Sequence, residues 1–130
     1  MKDILVPVSP GELLDKITIL RIKTARISDS AKLANVHLEL ELLERTWLDA
    51  CAGAQLAGEE RALRAVNERL WDIEDRIRDK EAAGSFDQEF IELARSVYLV
   101  NDERAAVKRR VNLALGSRLV EEKSYRPYRR

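Results

Sequence analysis

The last long helical segment carries the pattern that most restricts the fold. At about 100° per residue, Phe86, Phe90, Leu93, Ala94 and Val97 fall on one side of a helix and form an apolar stripe that requires a core. The same side continues as Asn101, Arg104, Lys108 and Asn112, with Val111 and Leu115 closing it. Polar groups on a core-facing position are costly unless they are paired or hydrogen-bonded. Two arrangements satisfy them. Carboxylates on neighbouring helices would make the seam structural, and a bound anion would make it a site.

The boundaries of the other segments follow from capping chemistry. Pro7 and Pro10 keep residues 1–8, with Ile4, Leu5, Val6 and Val8, in an extended arm. Ser9-Pro10-Gly11-Glu12 supplies a cap serine, a proline at the first helical position and an acid three residues on, which predicts a helix over 10–27. Ser28-Asp29-Ser30 separates it from a second helix over 31–52, with Leu33, Val36, Leu40, Leu43 and Trp47 on one face. A third covers 58–83 through Leu63, Val66, Leu70, Ile73 and Ile77, and ends at Gly84. Ser85-Phe86-Asp87-Gln88 reads as a capping box for the fourth, which runs to Leu115 and stops at Gly116. Four amphipathic segments on short turns predict an all-α, single-domain antiparallel helical bundle over 1–130, with 117–130 a short helix or irregular tail.

Composition removes several function classes. Lys plus Arg and Asp plus Glu number 23 each, so no global field favours nucleic acid or an anionic membrane, and neither is an expected partner. One cysteine, Cys51, and one histidine, His37, cannot build a zinc site, a disulfide or a nucleophilic triad, so no resident cofactor is expected. No apolar run reaches the length of a membrane span and residues 1–7 do not make a signal peptide, which points to the cytoplasm.

The first helix is apolar nearly all round. Leu13, Ile17, Leu20, Thr24 and Ile27 form the principal stripe, and Leu14, Ile19 and Ile22 lie opposite, which predicts burial. Glu12, Lys16 and Lys23 align on its flank, with Asp15 and Arg26 on the far side. Asn35 and Glu39 on the second helix, and Asn67, Trp71, Glu74 and Arg78 on the third, adjoin their apolar faces in the same way. Glu12, Glu39 and Glu74 could thus meet Lys16, Lys23, Arg104 and Lys108 between helices, as ion pairs at a wet boundary or as a pocket.

Two chemistries suit such a pocket. Glu12 and Asp15 facing Asp72, Glu74 and Asp75 could hold Mg²⁺, the arrangement of helical nucleotide pyrophosphohydrolases, whose first acidic motif Gly11-Glu12-Leu13-Leu14-Asp15 loosely resembles. Arg104 and Lys108, one turn apart beside Asn101 and Asn112, could instead recognise phosphate, carboxylate or a nucleotide-sugar diphosphate. The tail adds Lys123, Arg126, Arg129 and Arg130 interleaved with Tyr125 and Tyr128, either as a solvated end or folded over the pocket mouth or a partner. The rear leucines Leu38 and Leu42 leave a homodimer open as the way to bury them.

Val8 to Leu20 (VSPGELLDKITIL), Leu70 to Asp75 (LWDIED), Val97 to Lys108 with Asn101-Asp102 and Arg104, and Glu121 to Tyr125 (EEKSY) together resemble an uncharacterised family of small bacterial and phage proteins, a domain of unknown function. The resemblance covers nearly the whole chain. It nominates Glu12, Asp15, Lys16, Trp71, Glu74, Asp75, Asn101, Arg104, Lys108, Glu121, Glu122, Lys123 and Tyr125 as site positions, to which the seam adds Asn112. It also implies association with glycoconjugate synthesis. Three readings follow: a cytoplasmic binding protein for an anionic metabolite (phosphate, nucleotide or nucleotide-sugar), a Mg²⁺-dependent nucleotide or phospho-sugar hydrolase or transferase, and a protein-interaction module with a structural seam.

Overall fold

The computed structural model describes residues 1–128, so Arg129 and Arg130 lie outside the described residues. Among the described residues the chain is an all-α helical bundle of four helices with no strand: α1 (Pro10–Arg26), α2 (Ser30–Cys51), α3 (Ala57–Ala83) and α4 (Gln88–Ala114). The four helices lie within two residues of their expected spans. Ser9 accepts the Glu12 N–H at 3.2 Å and Pro10 opens α1. Asp29 caps α2 by accepting the Lys32 N–H at 2.9 Å. Gly84, at φ 62°, ends α3 in the left-handed conformation that glycine adopts without steric cost. The cap of α4 is Asp87 and not Ser85. Its carboxylate accepts the Phe90 N–H at 3.0 Å on one oxygen, and the Lys80 amine and Ser85 hydroxyl on the other.

Helix α1 is the centre of the assembly, packed against each of the other three, while α2 packs on α1 alone and α3 pairs with α4. Leu13, Leu14, Ile17, Leu20 and Ile22 are all buried, as the apolar circumference of α1 predicts. Leu14 joins Leu56, Leu63, Val107 and Val111 in the core cluster. The full bundle expected from four equal stripes is modified at α2, where no residue is buried. Its stripe of Leu33, Val36, Leu40 and Leu43 is only half-covered, and Trp47, expected in the core, is half-buried at the cluster's edge. The reason is geometric. A helix that touches one neighbour covers one arc of its surface, and α1 stands between α2 and the α3/α4 pair.

Helix α4 is unbroken through Asn101, yet its stripe divides instead of turning polar. The buried side runs through Leu93, Val100, Val107 and Val111, while Asn101, Arg104 and Lys108 form the adjoining strip. Phe86, read as the start of the stripe, is largely exposed and stacks edge-on with Phe90 at 5.2 Å between ring centres. After α4, Gly116 turns the chain at φ 64° and residues 117–128 return along α4 without helix. Residues 1–8 carry no regular structure and are exposed.

Candidate functional site

The seam is anchored by Asp15, which is fully buried. One of its oxygens accepts Asn67 Nδ2 at 2.9 Å and Arg104 Nε at 3.0 Å, and the other accepts Arg104 Nε at 3.1 Å and the Arg104 Nη2 amine. Asn67 donates also to the Thr18 hydroxyl at 3.0 Å, and Thr18 donates to the Asp15 carbonyl at 2.8 Å. Three helices are thereby tied through one carboxylate. A forked guanidinium on a buried carboxylate is the geometry in which such a pair is strongest. It raises the Arg104 pKa further above its ordinary value.

One turn along, Lys108 Nζ donates to Glu12 at 2.6 Å and to Glu121 of the returning tail at 3.0 Å. Burial pulls the Lys108 ammonium down, the two carboxylates outweigh it, and the net shift is upward. The hydrogen bond from Lys108 holds the Glu121 carboxyl below its ordinary value. At the end of the seam the Asn112 side-chain oxygen accepts the Gly11 N–H at 2.7 Å, which satisfies both a buried amide and an orphan donor at the start of α1. No buried side-chain nitrogen or oxygen among the described residues lacks a partner.

The expected convergence of acids and bases is therefore partial. Glu12 pairs with Lys108, and Asp15, read as lying on the far side of α1, proves to be the partner of Arg104, because α1 presents that side to α3 and α4. Glu39 is exposed on α2, which does not touch α3 or α4, and Lys16 is exposed outside the seam. Trp71 and Glu74 belong to a separate hollow of about 440 Å³, with Ile19, Lys23, Asp75 and the other side of Arg104. Arg26 lies over the Trp71 ring at 5.7 Å and pairs with Asp72 at 2.5 Å. The acids required for Mg²⁺ do not assemble: Glu12 and Asp15 are held by cations, and among the described residues no three of His, Cys, Asp and Glu are grouped so as to hold a metal ion. Cys51 is half-buried, which pushes its thiol up, and His37 is exposed.

The tail makes a second feature. Its course is fixed by Lys108 to Glu121, by Arg109 to Glu122 at 3.2 Å, and by the Tyr128 hydroxyl donating to Asp102 at 2.6 Å. Tyr128 also meets Tyr98 edge-on at 5.2 Å. Between this strap and α4 lies a groove of about 610 Å³, lined by Val97, Tyr98, Asn101 and Asp102 on the helix and by Lys123, Tyr125, Arg126, Pro127 and Tyr128 on the strap. A smaller hollow with Asn101, Arg104, Lys108, Glu121 and Lys123 adjoins it. Lys123 Nζ sits over the Tyr125 ring at 5.7 Å, and among the described residues neither Lys123 nor Arg126 has a carboxylate within ion-pair distance. Tyr98 is the residue that sequence reasoning missed. Its spacing to Asn101 and Asp102, three and four residues, already placed it beside the polar strip.

Residues 4–128 match a family described as a family of unknown function, DUF6165. The chain belongs to this family. The matched residues include those of both the seam and the strap. Comparison with curated proteins and with solved structures gives no match. Among the described residues of this DUF6165 protein no helix is long and apolar enough to cross a membrane.

Proposed function

We propose that the chain is a cytoplasmic binding protein for an anionic metabolite of the phosphate, nucleotide or nucleotide-sugar class, held in the groove between α4 and the C-terminal strap. The observation that carries this reading is the strap itself, which folds back over the polar strip and lines the groove with Lys123 and Arg126, two cations with no carboxylate within ion-pair distance among the described residues, beside Tyr98, Tyr125 and Asn101. Cations supply the anion contact, ring faces suit a base or sugar, and Asn101 and Asp102 suit hydroxyls. The family resemblance adds an accessory role in glycoconjugate synthesis. Arg104 and Lys108 then support the ligand from behind, since their charges are already matched.

The test is thermal shift of the full chain against inorganic phosphate, nucleotides and nucleotide sugars, each with and without Mg²⁺. A rise in melting temperature that does not need metal, and that is lost in Lys123→Ala/Arg126→Ala while the ligand-free melting temperature is kept, supports the reading. Metal-dependent product formation would replace it with a hydrolase or transferase. The closure of every buried polar group in the seam favours a second reading, an interaction module, which silence across the panel would support.

A further inference from the structure

The hollow that holds Trp71 has walls that follow from helical spacing. Asp15, Ile19 and Lys23 recur every four residues on α1, and Asn67, Trp71 and Asp75 do the same on α3, so each helix presents a ladder of side chains on one face. The lowest rungs are joined, Asn67 Nδ2 donating to Asp15 at 2.9 Å. Above them the helices leave a space of about 440 Å³ lined by Ile19, Lys23, Asn67, Trp71 and Asp75, within the size range of small-molecule sites. Exposure rises along the α3 ladder, from 6% at Asn67 through the half-buried Trp71 to the exposed Asp75. The hollow therefore has a polar floor, an apolar waist of Ile19 and Trp71, and a charged rim.

Floor and rim both hold capacity that the chain leaves unused. Asn67 commits Nδ2 to Asp15 and Thr18, and the reverse orientation would set its oxygen against the Asp15 carboxylate, which fixes the amide. Among the described residues Asn67 Oδ1 accepts no hydrogen bond. Every side-chain oxygen among them that is sealed from solvent has a partner, so this one opens outward, and the hollow is the open space that Asn67 lines. Arg104 also lines it, and shares the Asp15 oxygen with Asn67 through Nε at 3.0 Å, while its Nη1 donates to no acceptor among the described residues. An unused acceptor beside an unused donor suits a hydroxyl, which donates and accepts at once. At the rim, Glu74 and Arg78 pair with each other at 3.5 Å. Lys23 on α1 and Asp75 on α3 are left without an ion pair among the described residues. Opposite charges on two walls that do not pair with each other suit a ligand carrying both signs.

We propose that this hollow is a second binding site, for a free α-amino acid with a phenol side chain, tyrosine being the type. The hydroxyl meets Asn67 Oδ1 and Arg104, the ring lies between Ile19 and Trp71, and the ammonium and carboxylate meet Asp75 and Lys23. Asn67 and Asp75 stand two turns apart on α3, a rise of about 12 Å, which a tyrosine with a hydrogen bond at each end spans. Other ligand classes leave part of the site unmatched. A phosphate has neither ring nor ammonium, phenylalanine gives Asn67 no donor, and a tyrosine inside a polypeptide has lost both of its charges. The inference does not depend on the reading proposed for the groove under the strap.

The experiment is isothermal titration calorimetry of the full chain with L-tyrosine, L-phenylalanine, tyramine and N-acetyl-L-tyrosine amide, with ligand-observed NMR and circular dichroism in parallel. L-tyrosine is expected to bind, and L-phenylalanine to bind about tenfold or more weakly, because it leaves the Asn67 oxygen without a donor. Tyramine, which lacks the carboxylate, is weakened likewise, and N-acetyl-L-tyrosine amide, which lacks both charges, does not bind. In Lys23→Met and in Asp75→Asn the affinity for tyrosine falls about tenfold or more, while helix content stays at the wild-type level, because both side chains lie outside the core. No binding at millimolar L-tyrosine overturns the proposal. So does phenylalanine that binds as tightly as tyrosine, or an affinity that neither rim substitution changes. N-acetyl-L-tyrosine amide binding as well as tyrosine overturns it in favour of a tyrosine side chain within a polypeptide.

Discussion

Gly11 shows how closely α1 and α4 approach. A Cβ built there would stand 2.4 Å from the Lys108 carbonyl oxygen and 2.9 Å from the Asn112 side-chain oxygen, and the first of these is backbone that cannot step aside. Gly11→Ala must therefore push the start of α1 off α4 and break the Gly11–Asn112 hydrogen bond, at a cost of about 1–3 kcal/mol, readable in a denaturant titration. Asp15 and Lys108 sit in the same seam but differ in their access to water. Asp15→Ala leaves Asn67 and the Arg104 fork without their carboxylate, and the expected loss is about 3–5 kcal/mol. Lys108 is 11% exposed, but its partners Glu12 and Glu121 are 39% and 51% exposed and can rehydrate. Lys108→Met should thus cost only about 1–2 kcal/mol. A stability equal to or above wild type in that variant would show that the cation stands in reserve for a ligand and that the ion pairs contribute nothing.

At the scale of the elements, both ends of α4 depend on carboxylates. The Lys80 amine, followed by the Phe90 N–H, holds the Asp87 carboxyl down to about 2. The cap's contribution is present above the ordinary aspartate range and is lost as pH falls through about 2. Glu121 is shifted in the same direction by Lys108, so the bridge that fixes the strap also persists below the ordinary glutamate range and fails in stronger acid. At the alkaline end Lys108 is shifted upward, which carries the bridge past the ordinary lysine range before it is lost. The strap has no helical hydrogen bonds to hold it once these contacts go. In Glu121→Gln/Tyr128→Phe, which weakens the Lys108 contact and removes the hydroxyl bonded to Asp102, amide exchange of residues 118–128 should accelerate while the helical dichroism is unchanged. Unaltered exchange would show that the strap is held by packing on Val97 and Tyr98.

For the molecule as a whole, stability is graded by each helix's share of the core cluster. The core cluster of Leu14, Leu56, Leu63, Val107 and Val111 binds α1, α3 and α4, whereas α2 contributes only Trp47 to its edge. Native-state hydrogen exchange should therefore open α2 at a lower free energy than the buried turns of α3 and α4. Protection of α2 equal to that of α4 would contradict this gradation.

Local chemistry was legible in the sequence because its causes are local. Caps at Ser9 and Asp29, the left-handed glycine Gly84 and the 3.6-residue periodicity depend on neighbours within a few residues, so the four helices and the buried nature of α1 could be read directly. The polar strip of α4 was legible too, as was its need for partners. Which partners it finds was not, because the identity of the facing helix depends on how the segments rotate and stack. That rotation turned Asp15 from the far side of α1 into the anchor of the seam and put Val100 and Val107 in the core beside Arg104. It also left Glu39 and Lys16 outside the seam and set Trp71 and Glu74 in a different hollow. The strap is the clearest case. Nothing within residues 117–128 specifies a return along α4, and only the tertiary placement of Lys108, Arg109 and Asp102 supplies the charges and the acceptor that bring it back.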